Sequence, residues 1–375
     1  MFNQKIWEGF MNTLERYLFY SVRCSSLFSP LAAGFGIYLG GIWTYLGFGL
    51  FLGFYMIVEL ILLAAGVGTD FNSSDIFRNE NPKLPSWLEN HGLAISGSLM
   101  LLVVPPSVFQ VASSHLSTFE VWGSVLSLAF VSGSVGGFVG HEYIHRKSKF
   151  ERLFGTLVYG CFGNGHFAVS HVFGHHQMVG LHEDWNTSRL GESSYRFFVR
   201  AIFEGYLASW SLTANNLKRK KQAFWSTHNF MLRLTLVQLV LLIFLFSILP
   251  FLLAAKTVGI YLGYSIIALC LSEMVNYLSH YGITRKKNQH GTYEKMESHH
   301  SWESANKVTN WFIFDAGKHS EHHLKPTTKH FELKFSYNEK IPFGFVPMTL
   351  IALIPPLYFR IMDPLVRRRE RILQS

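Results

Sequence analysis

Long apolar runs, separated by polar segments, are the dominant pattern along the chain. Residues 27–68 contain no Lys, Arg or Asp over 42 positions, and Glu59 is their only carboxylate. Because one helical crossing of a bilayer needs about 20 apolar residues, this run is long enough for two coupled spans. With the later runs it predicts an all-α integral membrane protein with six transmembrane helices, at about 29–47, 48–68, 92–113, 119–145, 229–254 and 257–280.

Prolines and polar linkers mark the expected ends of these spans. Residues 69–92 are rich in Asn, Ser and Pro and should form a loop. Pro105 and Pro106 should kink the third span or end one of its turns. Residues 254–259 should join the last two spans as a hairpin. The apolar residues 342–359 contain four prolines, which predicts a re-entrant or interfacial segment rather than a seventh crossing.

Composition and charge agree with a membrane location. Hydrophobic residues make up 49% of the chain and aromatic residues 16%. Of the 33 Lys and Arg residues, 11 lie between Arg146 and Lys221 and 15 between Arg285 and Arg371. Such basic segments mark the cytoplasmic side of a multi-pass protein, so we expect no nucleic-acid partner. Six spans would bring the segments 141–228 and 280–375 to that same face, within one domain covering residues 1–375.

The three cysteines, Cys24, Cys161 and Cys270, are scattered, and no C-x-x-C motif occurs. An odd and dispersed set predicts neither a disulfide framework nor a cysteine metal site. We therefore expect no rubredoxin-like or cysteine-ligated iron–sulfur domain within the chain.

Histidine carries the candidate chemistry, and its 18 copies are unevenly placed. His141 and His145 have an i,i+4 spacing, which puts both imidazoles on one face of a helix. A later cluster repeats this spacing at i, i+3 and i+4, and His280 ends the sixth predicted span. Four clusters therefore converge on one membrane face and supply the nine candidate ligands His141, His145, His171, His175, His176, His280, His319, His322 and His323.

The number and type of these donors predict the metal. Nine imidazoles with few nearby carboxylates suit iron, zinc or copper rather than magnesium or calcium. One ion takes four to six ligands, so nine donors predict two ions. Structural zinc sites close with four ligands that typically include Cys, and no cluster contains Cys, so we expect two non-haem iron ions. The other histidines are expected to be supporting (His166, His182, His299, His300) or unrelated (His91, His115, His228, His290, His330).

Carboxylates and amides near the clusters are candidates for orienting the ligands, because a metal-bound histidine usually donates its other ring N–H to such a group. Glu142 directly follows a candidate ligand and is the first choice, and Asn276 lies one turn before His280. The full set is Glu142, Asp184, Asn276, Asp315 and Glu321.

Two further segments have two interpretations each. Residues 132–137 (SGSVGG) could line a channel that admits an apolar substrate from the bilayer, or could only allow close helix packing. The basic tail residues Arg367, Arg368 and Arg369 could dock an acidic electron carrier, or could contact lipid headgroups.

These motifs resemble those of the bacterial membrane alkane 1-monooxygenases, relatives of the xylene monooxygenase hydroxylase component and of the membrane fatty acid desaturases and hydroxylases. Residues 141–146 (HEYIHR) resemble the family's first box, H-E-x-x-H-K, and residues 171–192 resemble its second box with the following R-x-G-E. Residues 276–282 (NYLSHYG) are similar to the box that separates alkane hydroxylases from ordinary desaturases. Residues 300–333 are similar almost throughout to the family's last region.

The resemblance implies that the same nine histidines bind two irons. It also implies hydroxylation of an alkane or similar apolar substrate, at a terminal methyl group, with O₂ and with electrons from a rubredoxin or ferredoxin-type donor and its reductase. The expected location is the bacterial inner membrane, in contact with membrane lipid, with the histidine clusters on the cytoplasmic side.

Two departures from the family pattern keep an alternative open. Ser279 stands where the family usually has Glu, and residues 179–185 (VGLHEDW) replace a segment close to V-A-T-P-x-D. A membrane lipid or fatty acid desaturase or hydroxylase with the same irons is the alternative. A metal transporter or histidine-rich metal-binding protein would instead place its ligands at the middle of the bilayer, whereas these lie at the ends of the predicted spans.

Overall fold

The computed structural model describes residues 2–64, 84–287, 289–336 and 340–373. Within these ranges the chain is almost entirely helical and has no β-strand, only two isolated bridges, which confirms the all-α class. The principal helices are α1 (Phe2–Leu27), α2 (Ser29–Leu39), α3 (Gly41–Leu62), α4 (Ser86–Ser113), α5 (Thr118–Ile144), α6 (Lys149–Gly160), α7 (residues 167–178), α8 (Ser194–Arg219), α9 (Phe230–Ile248), α10 (Phe251–His280), α11 (Lys307–Phe312), α12 (His319–Leu324), α13 (Phe345–Ala352) and α14 (Pro355–Ile372).

Five of these helices, α3, α4, α5, α9 and α10, are long and apolar enough to cross a membrane. A sixth crossing results if α13 and α14, which meet at a bend of 119°, form one broken span. The bend lies inside residues 342–359, the segment predicted to be re-entrant or interfacial. The chain is therefore a multi-pass membrane protein.

The boundary between the first two predicted spans lies at Gly40, not at residues 47–48. Gly40 and Gly41 have φ angles of +74° and +55°, the left-handed region that favours glycine, so the helix turns there. The following helix α3 runs so close to α2 that a Cβ on Gly36 would lie 2.2 Å from the carbonyl oxygen of Trp43. The first predicted span is thereby reduced to the 11-residue helix α2. The end of the second, residues 65–68, lies outside the described residues.

The hairpin between the last two spans also turns earlier than predicted. Helix α9 ends at Ile248 and α10 begins at Phe251, because Pro250 lacks a backbone N–H and is suited to a helix start. Residues 254–259, the predicted linker, lie inside α10. Only 6% of the apolar stretch of α9 is buried, so this helix faces lipid.

Two predictions concern α4 and the segment before it. The helix continues through Pro105 and Pro106 to Ser113, and a kink at these prolines stays a prediction. The predicted loop over residues 69–92 is described only from Leu84 onward, and its last part is already helical because α4 begins at Ser86.

The N-terminal helix α1 packs against the segment that precedes the last histidine cluster. Nη2 of Arg23 donates to Oδ2 of Asp315 at 3.0 Å, and both side chains are buried. Oγ of Ser26 donates to the backbone oxygen of Phe312 at 2.7 Å. These contacts, between residues nearly 300 positions apart, hold α11 and the segment before α12 against α1.

Candidate metal centre

The nine candidate histidines come from four separate elements and lie together. His141 is in the last turn of α5, His145 directly follows that helix, and His280 is the last residue of α10. Helix α7 carries His171, His175 and His176, and α12 carries His319, His322 and His323. The folding of the spans thus brings together donors that are up to 182 positions apart.

The cluster divides into two groups, within each of which the donor atoms lie within 4.8 Å of one another. The five-histidine group consists of His141, His145, His171, His176 and His322. The four-histidine group consists of His175, His280, His319 and His323. The groups are adjacent, since the ring centroids of His176 and His323 lie 4.5 Å apart. The geometry therefore offers two neighbouring positions for a metal ion.

A π-helical turn in α7, residues His171–His175, explains why its histidines serve different groups. In a regular α-helix each residue advances by about 100°, so residues five apart point roughly 140° away from each other. A π-turn, with its i→i+5 hydrogen bonds, is wider and brings residues five apart closer to one face. His171 and His176 consequently share the five-histidine group, while His175 turns to the other.

Distances between donor atoms within each group fit a shared ion. Nε2 of His171 lies 2.9 Å from Nε2 of His141 and 3.1 Å from Nε2 of His176. In the four-histidine group, Nε2 of His319 lies 3.0 Å from Nε2 of His323. Two nitrogens bound at about 2.1 Å to one ion, at right angles, are about 3.0 Å apart. Each group therefore has the donor spacing of a metal site.

Two buried ring nitrogens also point to a ligand. Among the described residues, Nε2 of His145 and Nε2 of His175 have no hydrogen-bond partner. The His175 side chain is fully buried and its Nδ1 is already bonded to Asp184, so its Nε2 has no other group to satisfy it. An unpaired buried polar group costs about 1–3 kcal/mol, which a bound ion would remove.

Several of the candidate histidines have a lowered pKa, which favours the neutral form that a metal ligand needs. Burial lowers the pKa of His145, His171 and His322 well below its ordinary value, and the neighbouring histidines lower it further. The pKa shifts in the same direction, for the same reasons, in His176, His319 and His323. A neutral imidazole keeps a lone pair available for a metal ion.

Asp184 is the carboxylate that contacts a candidate ligand directly. Its Oδ2 lies 2.8 Å from Nδ1 of His175, with both side chains fully buried. The same carboxylate accepts hydrogen bonds from Oγ1 of Thr187 and the backbone N–H of Asn186. Burial alone would raise the pKa of Asp184, but His175 and these donors outweigh it and lower the pKa. The arrangement is the carboxylate–histidine pair typical of metal sites.

The hydrogen bonds continue from Asp184 to a carboxyl group inside a membrane span. Nδ2 of Asn186 donates to Oε2 of Glu273 at 2.8 Å, and Nδ2 of Asn276 donates to the same oxygen at 3.0 Å. Glu273 is on α10, buried, and was not among the sequence candidates because it lies in an apolar run. An ionisable residue inside a span is the signal that could have found it.

The two sequence candidates Glu142 and Asn276 have different surroundings from those expected. The Glu142 carboxylate accepts a hydrogen bond from Arg146 at 2.6 Å, and among the described residues no hydrogen bond joins it to a histidine. Asn276 reaches the four-histidine group only through Glu273 and Asn186. Both side chains line the cavity beside the histidines.

The remaining candidates, Asp315 and Glu321, hold the chain around α12. Oδ1 of Asp315 lies 2.8 Å from Nζ of Lys318, the residue before His319. Burial would raise the pKa of Asp315, but neighbouring His330, Lys318 and Arg23 outweigh burial and hold it well below the ordinary value. Glu321 pairs with Lys325 and accepts from the backbone N–H of Lys334.

A cavity of about 50 Å³ lies between the histidines and the spans. His141, His319 and His322 form its polar wall, with His330, which was expected to be unrelated. Its other walls include Gly133 and Gly137 of the small-residue segment 132–137, together with Leu93, Phe138, Val275 and Ile313. A Cβ on Gly133 would lie 2.4 Å from the backbone oxygen of Ala268, so this segment both packs closely and lines the cavity.

Ser279 and the pair His299 and His300 lie outside the two histidine groups. Ser279 is buried, its backbone oxygen accepts from the N–H of Trp302, and its hydroxyl has no hydrogen-bond partner in the described part of the chain. His299 and His300 form a separate group with Glu294, in which Nε2 of His300 lies 3.0 Å from the carboxylate.

Comparisons with known proteins agree with the motifs. The sequence profile of the fatty acid desaturase family matches residues 117–343. An alkane 1-monooxygenase of Ectopseudomonas oleovorans is 32% identical, covering 87% of this chain and 81% of the relative. One of Pseudomonas putida is 32% identical, covering 91% and 84%. The xylene/toluene monooxygenase hydroxylase component of Pseudomonas putida is 27% identical, covering 94% and 88%.

Proposed function

Because this chain belongs to the alkane 1-monooxygenase family, within the fatty acid desaturases, we propose that it hydroxylates an alkane or a similar apolar substrate. The reaction consumes O₂, two electrons and two protons, and forms an alcohol and water. The observation that carries the proposal is the division of nine histidines into two adjacent groups with the donor spacing of metal sites. On this proposal residues 1–375 act as one catalytic domain.

The nine histidines hold two non-haem iron ions in this proposal, one in each group. The irons supply O₂ activation and oxidation of an unactivated C–H bond, which protein side chains cannot perform. The role of this chain is to keep the imidazoles neutral, to fix their orientation and to exclude water. Asp184 orients His175, while Asn186 and Glu273 hold Asp184 in place.

The cavity beside His141 and His322 is the proposed position of the reacting carbon. A second cavity of about 30 Å³, almost entirely apolar, lies among the helices and shares Phe138, Val275 and Ile313 with the first. We take the two cavities, which these three side chains border, as parts of one apolar path toward the histidines. An apolar chain dissolved in the bilayer would enter along this path, with its end directed at the metal centre.

The protein is proposed to lie in a bacterial inner membrane, with the segments 141–228 and 280–375 facing the cytoplasm. That orientation follows from the concentration of Lys and Arg in these segments. It would expose the metal centre to a soluble electron donor of the rubredoxin or ferredoxin type, delivered with its reductase. The three cysteines within residues 1–375 are scattered and free, so the proposal takes the electrons from such a donor rather than from a cysteine-ligated centre among these residues.

The direct test is turnover of a hydrocarbon panel by the purified protein, with iron quantified in the same sample. The panel contains alkanes of several lengths, an alkyl-substituted aromatic and a fatty acid, supplied with O₂ and a reductant. We expect terminal alcohols from the alkanes, with yields proportional to iron content.

The same panel separates the competing chemistry. Formation of a carbon–carbon double bond in the fatty acid, with no alcohol from any alkane, would replace this proposal with a desaturase. Iron binding with no O₂-dependent product from any substrate would argue against both enzymes.

A further inference from the structure

A large groove lies on the outside of the molecule, at the opposite face of α7 from the metal centre. It has a volume of about 1040 Å³ and is formed by α6, α7, the last turns of α8 and the start of α9. Val169, Phe173 and Gln177 of α7 belong to its wall, and they alternate in sequence with the histidines that form the two groups. The groove therefore borders the outer face of the helix that carries three candidate ligands.

The charge around this groove has a single sign. Five cations line it, Lys149, Arg152, Arg219, Lys220 and Arg233, and no Asp or Glu is among its lining residues. All of them except the half-buried Arg152 are exposed. The guanidinium of Arg152 donates to the backbone oxygens of Arg146 and Lys147, which fixes its position at the rim. A groove with five cations and no counter-charge calls for an anionic occupant.

The rest of the lining combines apolar side chains with uncharged polar ones, such as Thr213 and Asn216. Phe150, Leu153, Phe173, Leu212 and Phe230 contribute to it. Phe150 has 85% of its surface exposed and Phe173 54%, values unusual for aromatic side chains in contact with water alone. A cationic rim beside exposed apolar side chains fits a ligand that is anionic at one end and hydrocarbon at the other.

The position of the groove relative to the bilayer supports the same conclusion. Helix α9 faces lipid along almost its whole length, and Arg233, one turn from its start, is its only charged residue. An arginine so close to the end of a lipid-facing helix reaches the headgroup level. Trp225, which is 78% exposed and lies just before α9, is typical of the membrane interface. The groove therefore opens where lipid phosphates lie.

We propose that this groove is a binding site for one anionic phospholipid. The phosphate lies between Arg219, Lys220 and Arg233, and the acyl chains lie over Phe173 and Leu212. Arginine suits this role because its planar guanidinium binds phosphate in a bidentate manner. The lipid covers the outer face of α7 and so stabilises the helix that carries His171, His175 and His176.

The test is lipid retention by the purified full chain, measured by native mass spectrometry. Phosphatidylglycerol and phosphatidylcholine with identical acyl chains are the probes. We expect wild-type protein to retain phosphatidylglycerol at least about tenfold more tightly, with the preference weakening as NaCl rises, because salt screens exposed charges. The double variant Arg219→Gln with Arg233→Gln should lose the preference. The matched control is Lys286→Gln with Lys295→Gln, two exposed cations that do not line the groove, and it should keep it.

A second readout does not depend on the variants. The thermal unfolding temperature of wild-type protein should rise with phosphatidylglycerol and not with glycerol phosphate, which carries the anion without the acyl chains. Equal retention of the two lipids by wild-type protein would overturn the proposal, and so would equal loss of preference in the groove and control variants. A stabilisation by glycerol phosphate as large as that by the lipid would assign the groove to a free phosphate and overturn the lipid site.

Discussion

The two histidine groups use the same donor type and differ in what surrounds them. The five-histidine group contributes His141 and His322 to the wall of the cavity, whereas the four-histidine group contributes only His319, and two members of the five-histidine group are only partly buried. All members of the four-histidine group are buried, and His175 is tied through Asp184 and Asn186 to Glu273 inside a span. We infer from the contrast that the five-histidine group is the more open of the two toward the cavity, while the four-histidine group is held more firmly through His175.

Removing one ligand from each group should have the largest effect. We expect His322→Ala and His175→Ala each to lose about one iron per chain and to lower hydrocarbon oxidation by at least about 100-fold, more than the loss typical for an orienting residue. Iron analysis and turnover measure both. His115→Ala, at an exposed histidine away from the groups, is the control. Full iron and full oxidation in either ligand variant would show that the ligand assignment is wrong.

A change in the carboxylate next to His175 should affect only the four-histidine group, and therefore distinguishes the two groups more sharply. We expect Asp184→Asn to lower the iron affinity of the four-histidine group, or the activity, by about 10- to 100-fold. The reason is that a neutral amide accepts a weaker hydrogen bond from the ring N–H of His175 than a carboxylate does. The matched control is Glu183→Gln, an exposed neighbour that should leave both unchanged. Glu142→Gln should also retain iron, since its partner is Arg146. Loss of iron in Glu142→Gln with normal iron in Asp184→Asn would reverse the comparison.

The buried membrane carboxyl should have a smaller effect, because it acts through Asn186. We expect Glu273→Gln to reduce activity by roughly tenfold or less, and to alter the spectrum of only one iron. The control is Glu59→Gln on α3, another carboxyl in a span, which bonds to Asn306 and not to the histidine network. Equal spectroscopic changes from Glu273→Gln and Glu59→Gln would remove Glu273 from the metal centre.

The cavity wall should affect the choice of substrate rather than iron. Ile313→Ala opens the wall shared by the two cavities, so longer hydrocarbons should gain a few-fold in relative kcat/KM. A stability loss of about 2–5 kcal/mol is expected from the lost side chain, so turnover is normalised to bound iron. Leu333→Ala, which lines only the first cavity, is the control. An unchanged product profile would argue against the apolar path.

The sequence predicts the cluster better than its internal arrangement. Spacing, clustering and the resemblance to a known family together selected the nine histidines that the structure brings together. Their division depends on the π-turn in α7, and a run such as HVFGHH does not reveal which hydrogen-bond pattern it will adopt. Sequence proximity favoured Glu142, whereas Asp184, nine positions after His175 in the chain, is the carboxylate that contacts a candidate ligand.

The boundaries of the membrane spans show the same limit of prediction from the sequence. Apolar length predicted a multi-pass helical protein, but the turns lie at Gly40 and Pro250. Hydropathy averages over a window and therefore cannot place a single residue at which the backbone turns. Glu273 was overlooked for the related reason that one carboxyl hardly changes the apolar character of a 30-residue helix.

The most direct test of the central claim is Mössbauer spectroscopy of the purified protein loaded with iron-57, together with iron quantification. Two ions in two different environments predict about two irons per chain and two quadrupole doublets of equal area, of which Asp184→Asn changes only one. One iron per chain with a single doublet, at full activity, would contradict the account.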